Sequence, residues 1–119
     1  MHNLASLLGI MRRLRDPEQG CDWDLAQTYE TIVPHTIEEA YEVADAIERQ
    51  DFQSLRDELG DLLFQIIFYS QLSQERSTFN FDDVVQGICE KMIRRHPHIF
   101  EMSEPADNSE KMTRSWEVI

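Results

Sequence analysis

The sequence has little punctuation. Four glycines and four prolines in 119 residues leave few sites for tight turns. Apolar residues recur at three- and four-residue spacing, so the chain reads as all-α. Cysteine is scarce too. Cys21 and Cys89 are too few for a disulfide framework and stand in no Cys-x-x-Cys pair, which fits a reducing cytoplasm. A buried thiol is the plain expectation, above all for Cys89. No apolar run reaches the roughly 20 residues that span a bilayer, and the N-terminus has no signal-peptide core. A soluble, cytoplasmic chain is therefore expected. Basic residues are the last shortage: 11 Lys plus Arg face 23 Asp plus Glu, a net charge of −12. That field repels nucleic-acid polymers and anionic membranes and suits divalent cations, or a polyanion that arrives carrying one.

What is present is a series of amphipathic segments, enough for one domain with its own core. A first helix is expected over about 3–14, with Leu4, Leu7, Leu8, Met11 and Leu14 inward. "RDPEQGCDWD" at 15–24 reads as a loop, since Pro17 and Gly20 break the periodicity. A second helix is expected from about Thr28 to Gln50, started or kinked by Pro34. A third runs from about Phe52 to Gln74, and a fourth starts at an Asn80 cap and ends at Pro97. Phe79 and Val84 are placed to staple that cap. "SEKMTRSWEVI" begins another amphipathic helix that stops without a capping signal, which reads as a piece of something longer. There is no internal repeat.

On the second helix, Ile37, Ala40, Tyr41, Val43, Ala44 and Ile47 share one side, while Glu38, Glu39 and Glu42 share the other. Taken alone, those acids form a solvated face, and Thr36 with Glu39 fits a capping box. The third helix differs. Leu55, Leu59, Leu62, Leu63, Ile66 and Ile67 make one apolar face, Phe64, Phe68 and Leu72 fill much of the rest, and Glu58, Asp61 and Gln65 form a thin polar stripe. A helix apolar nearly all round is buried in a core or at an oligomer interface, so a dimer is expected. Carboxylates in that setting need compensation. If the two helices are antiparallel neighbours, both acid groups face one cleft. Unit charges 4 Å apart repel by about 4 kcal/mol at an effective dielectric of 20. Divalent cations offset this, and all-oxygen ligands select hard ions such as Mg²⁺ or Mn²⁺. Glu-x-x-Glu on one helix and Glu-x-x-Asp on the next pass as a metal clamp, because three-residue spacing keeps both carboxylates on one face.

Glu38-Glu39-x-x-Glu42, fifteen intervening residues, then Glu58-x-x-Asp61 resembles the signature of the MazG-like, all-α nucleoside triphosphate pyrophosphohydrolases. "IMRRLRDPEQGCDWD", "TIEEAYEV", "DELGDLLFQIIFYS" and "RRHPHIF" look like the N-terminal domain of bacterial MazG proteins, so the likeness covers nearly the whole chain. One departure is Asp22, where the family usually has proline. The resemblance implies a four-helix-bundle-like domain of antiparallel helices over 1–119, assembled as a dimer or larger. It also implies that this domain is the N-terminal part of a longer two-domain protein. It further implies Mg²⁺, with Mn²⁺ as a substitute, and cleavage of nucleoside triphosphates to a monophosphate and diphosphate. It gives Glu39, Glu42, Glu58 and Asp61 the metal and Glu38 a supporting or water-orienting catalytic role.

Lys91, Arg94 and Arg95 follow the apolar stripe of Val84, Val85, Ile88, Cys89 and Met92. They either complement the end of a helix dipole or, as the one dense positive cluster, receive the β- and γ-phosphates. Trp23 either anchors the loop into the core or stacks on a base. Gly60 inside a helix costs about 1 kcal/mol against alanine and points to close helix packing or to room beside a metal. His96 and His98 flank Pro97 and read as structural or capping. The rival to the enzyme is a non-catalytic helical module for assembly or nucleotide sensing.

Overall fold

A computed structural model describes residues 1–100, and among these every regular element is helical. They are α1 (Leu4–Leu14), α2 (Asp22–Leu25), α3 (Tyr29–Glu48), α4 (Phe52–Glu75), α5 (Phe81–Arg95) and α6 (Pro97–Phe100). The helix expected after Ser109, with Trp116, lies outside the described residues. A first compact unit spans Met1–Phe81 and a second begins at Asp82.

In the first unit, α1 starts at an Asn3 cap: Asn3 Oδ1 accepts from the Ser6 amide at 3.1 Å, while Ser6 Oγ accepts from the Asn3 amide at 3.2 Å. α3 begins with the same device built from Thr28 and Thr31. The expected box at Thr36 does not form, because Pro34 lies inside α3 and the helix has already begun. Thr36 Oγ1 instead donates to the Ile32 carbonyl and meets the Tyr69 hydroxyl at 2.6 Å. α3 and α4 end alike. Gln50 and Ser77 adopt φ of 56° and 57°, and the next amides, of Asp51 and Thr78, donate back to Ala46 and Ser73 at 3.0 Å.

The turn at 49–51 folds α3 and α4 into a hairpin. Tyr29 pairs with Ser73, Thr36 with Tyr69, and the His35 carbonyl accepts from Gln65, so partner numbers fall along α4 as they rise along α3. The core lies at one end of this hairpin, where Met11 of α1, Ile32 of α3 and Ile67, Phe68 and Leu72 of α4 are buried together. On α1 the inward face is as expected at Met11, with Leu7, Leu8 and Leu14 half-buried, but Leu4 is exposed.

The segment at 15–21 is a built loop rather than slack chain. Asp16 Oδ1 accepts from the Glu18 and Gln19 amides at 2.9 Å, and the Cys21 amide donates to the Leu14 carbonyl at 3.0 Å. A Cβ on Gly20 would run into the Leu14 and Asp16 carbonyl oxygens, so this turn requires glycine. Gly20→Ala is expected to lower the melting temperature by several degrees, read by circular dichroism, because backbone must shift. The loop ends sooner than its composition indicates, since α2 has begun at Asp22.

Arg15 ties these pieces together. Its Nη1 donates to the Asp24 carbonyl of α2 at 2.7 Å, and its Nε donates to Glu75 of α4 at 3.0 Å. That guanidinium lowers the Glu75 pKa. A carboxylate held low contributes stability above its unfolded pKa and loses it as pH falls through the folded value. Acid unfolding of Glu75→Gln is therefore expected to start from a less stable protein at neutral pH and to show a shallower loss of stability below about pH 4.

Several expectations change here. Gly60 does not mark close packing: a Cβ there would meet nothing within 4 Å. Gly60→Ala should stabilise the fold by about 0.5–1 kcal/mol, measured by urea unfolding. Cys89 is exposed, not buried, because no residue of α5 is buried. On α4, Leu59, Leu63 and Ile66 are exposed in the single chain, so the core takes only the side bearing Ile67, Phe68 and Leu72.

Candidate functional site

The buried face of α3 is not the one that its apolar residues predict. Its buried residues are Ile32, Glu39 and Ala46, seven apart and so two turns apart on one line against α4. Glu39 is only 7% exposed, whereas Ile37 and Tyr41 are 55% and 73% exposed. Glu38 and Glu42 are exposed, but Glu39 is not part of a solvated face, and its carboxylate sits in the middle of a helix seam.

Opposite Glu39, α4 presents Glu58 and Asp61. One carboxylate oxygen from each of the three lies within 4.8 Å of the others. The carboxyls of Glu58, Glu39 and Glu42 crowd one another, and Glu42 also neighbours Glu38. Crowded like charges favour the protonated acid. The Glu58 pKa is accordingly raised, first by Glu39, and the Glu42 pKa is raised, first by Glu58. Even so, Glu39 Oε2 and Glu58 Oε2 are buried with no hydrogen-bond partner. Among the described residues, no lysine or arginine forms an ion pair with Glu39, Glu58 or Asp61. Carboxylates that converge from a buried Glu39, a half-buried Glu58 and an exposed Asp61 with no cation of their own fit a divalent ion, and an all-carboxylate donor set suits a hard one.

Beside the acids is a cavity of about 240 Å³ lined by Glu39 and Asp61, by Ile32, Phe64 and Phe68, and by Trp23, His35 and Gln65. Trp23 is 59% exposed and is not the core anchor that a loop tryptophan suggests. It stands at this cavity because Asp24, its neighbour in α2, is held by Arg15. The structure therefore gathers Glu38, Glu39, Glu42, Glu58, Asp61 and Trp23 in the first unit. Lys91, Arg94 and Arg95 belong to the second, in the last turns of α5, with Lys91 and Arg95 half-buried and Arg94 exposed. There His96 Nδ1 donates to the Met92 carbonyl at 2.6 Å, the capping role expected of it.

Sequence reasoning passed over His35, Phe64, Gln65 and Phe68 as site residues. The available signal was the stripe itself: Gln65 follows Asp61 by four residues and His35 precedes Glu39 by four, each one turn along its helix.

A sequence profile described as the MazG nucleotide pyrophosphohydrolase domain matches residues 27–100. The chain is 55% identical over 119 residues to a nucleoside triphosphate pyrophosphohydrolase of Escherichia coli (strain K12), an alignment covering 100% of this chain and 45% of that protein. It is 47% identical over 94 residues to the nucleoside triphosphate pyrophosphohydrolase/pyrophosphatase MazG of Thermotoga maritima, covering 79% of this chain and 36% of the relative. A nucleoside triphosphate pyrophosphohydrolase of Mycobacterium tuberculosis is 32% identical over 98 residues, 81% of this chain and 29% of its own length. The chain thus spans less than half the length of these relatives. An all-helical chain with paired acids on adjacent helices, a profile match over most of its length and relatives of this kind belongs to the MazG nucleotide pyrophosphohydrolase domain family.

Proposed function

We propose that the chain is a Mg²⁺-dependent nucleoside triphosphate pyrophosphohydrolase domain, converting a nucleoside triphosphate and water to a nucleoside monophosphate and diphosphate. The observation that carries this reading is the meeting of Glu39, Glu58 and Asp61 oxygens, two of them buried without a partner. The printed activity of the relatives supports the substrate class. Glu39, Glu58 and Asp61 hold the cation, with Glu42 completing the set through Glu58. When bound, Mg²⁺ (or Mn²⁺) screens the triphosphate, polarises the α-phosphoryl group and lowers the pKa of the attacking water.

The remaining roles fall to this chain's side chains. Glu38 orients the water and takes its proton, as an exposed carboxylate beside Glu42. Trp23 stacks on the base at the cavity mouth. Lys91, Arg94 and Arg95, a basic cluster in an acidic chain, receive the β- and γ-phosphates. We further propose residues 1–119 as one MazG-type domain, the N-terminal part of a longer two-domain cytoplasmic protein. Its helices pack as an antiparallel four-helix bundle and a second copy covers exposed apolar residues such as Tyr41 and Leu59. Neither nucleic-acid polymer nor membrane is a partner for a surface this acidic.

The test is diphosphate release from the eight common NTPs and dNTPs with Mg²⁺. Release that needs metal and falls by at least about 100-fold in Glu39→Gln or Asp61→Asn supports the enzyme. Metal or nucleotide binding without turnover would instead identify a sensing or assembly module, with activity elsewhere in a longer protein. Light scattering should find a dimer or larger species, and a clean monomer would refute the proposed assembly.

A further inference from the structure

We infer that Gln65 reads the sugar of the nucleotide by accepting a hydrogen bond from a ribose or deoxyribose hydroxyl; this rests on the nucleotide reading above. Gln65 lines the cavity that contains Trp23, Glu39 and Asp61. Its Nε2 donates to the His35 carbonyl at 3.3 Å, which fixes which end of the amide is which. Its Oε1 is buried and has no partner. With one amide hydrogen committed to His35, the buried and unpaired Oε1 is the group that most needs a ligand donor. A buried amide oxygen left unpaired is costly, so a bound O–H or N–H donor is favoured there.

Position along the hairpin selects the donor. Glu39 and Asp61 form one level, and His35 and Gln65 lie four residues away on each helix, about 6 Å of rise. Ile32 and Phe68 form the next level and are apolar. A nucleotide whose phosphates lie at the acids presents its sugar one level on, joined to the α-phosphate through a single C5′–O link. Its base then reaches the apolar level and Trp23. The hydroxyls of the sugar are donors at the height of Gln65, and nothing else on that part of a nucleotide is. The 2′- and 3′-hydroxyls share this chemistry.

The experiment measures calorimetric affinity for ATP, 2′-deoxyATP, 3′-deoxyATP and 2′,3′-dideoxyATP, with Ca²⁺ in place of Mg²⁺ to slow turnover, in the 119-residue chain and in Gln65→Met. The unmodified chain is expected to bind dideoxyATP about tenfold more weakly than ATP. Whichever monodeoxy analogue shares that loss names the hydroxyl. In Gln65→Met, ATP should weaken to the level of dideoxyATP and the distinction should vanish. Equal affinity of the unmodified chain for ATP and dideoxyATP overturns the inference without any variant having to fold. So does a Gln65→Met variant that still discriminates. Failure to bind any of the four overturns it together with the nucleotide reading. Binding with the expected discrimination but no diphosphate release under Mg²⁺ supports the sugar contact and defeats only the hydrolase.

Discussion

Glu39→Gln is expected to make the metal-free protein more stable and the magnesium-loaded protein less so. Most substitutions of a buried polar group destabilise the protein, so the sign is diagnostic. Without metal, Glu39 is a buried carboxylate whose Oε2 has no partner, facing Glu58 and Asp61. An amide there removes one negative charge and supplies N–H donors to its neighbours. The melting temperature of the metal-free protein should rise by several degrees. Millimolar Mg²⁺ should then add nothing, whereas it should raise the melting temperature of the unmodified chain, since a ion that binds only the folded state stabilises it by mass action. Metal affinity should fall by about 100-fold or more, as one of three converging ligands is gone.

The same cluster sets a pH dependence. Glu58 and Glu42 have raised pKa values, so between the ordinary glutamate value and the raised one the folded chain holds more protons than the unfolded chain. Stability of the metal-free protein therefore falls as pH rises through that window. Mg²⁺ displaces those protons and should flatten or reverse the slope, because metal binding requires the deprotonated form. Differential scanning calorimetry across pH 4–8, with and without Mg²⁺, reads both effects, and Glu39→Gln should show the smaller slope.

Ile67→Ala is expected to cost about 3 kcal/mol, and so to lower the melting temperature by roughly 10–20 °C. Ile67 is 1% exposed and packs with Met11, Ile32, Phe68 and Leu72, so truncation leaves a cavity at the point where α1, α3 and α4 meet. Ile37→Ala is the matched control. Ile37 is more than half exposed, and its loss should stay within about 0.5 kcal/mol in dilute solution. If a second copy covers this face, the Ile37→Ala loss will grow and depend on protein concentration. Urea unfolding at two concentrations separates the cases.

That pair of isoleucines shows what could be read from the sequence. The existence of α1, α3, α4 and α5 was legible, because sparse glycine and proline leave long periodic stretches uninterrupted, whereas the one-turn helices α2 and α6 were not. The ends of α3 and α4 were legible only approximately. Both close through a left-handed residue, but Gln50 and Ser77 occupy the place where glycine would have announced it. The acid pairs were legible as types at spacings, and Glu39, Glu58 and Asp61 do meet.

What misled was the facing of α3. Its more apolar side, with Ile37, Tyr41 and Ile47, looks like the core side on a wheel of one isolated helix, yet the seam against α4 runs through Ile32, Glu39 and Ala46. A wheel scores hydrophobicity and is blind to a carboxylate whose reason for burial is two other carboxylates on the next helix. Trp23 was ambiguous for a related reason. Its position depends on Arg15 reaching both Asp24 and Glu75, sixty residues apart from the latter, and no local pattern encodes that.

Whether the acids on α3 and α4 form a cation site is read by titrating the unmodified chain with Mn²⁺ at neutral pH, followed by electron paramagnetic resonance and calorimetry. Saturable uptake of at least one ion per chain is expected, with release of protons on binding, competition by Mg²⁺, and loss of all three in Glu39→Gln. Free Mn²⁺ that stays fully visible as protein is added, with no heat of binding, would rule such a site out.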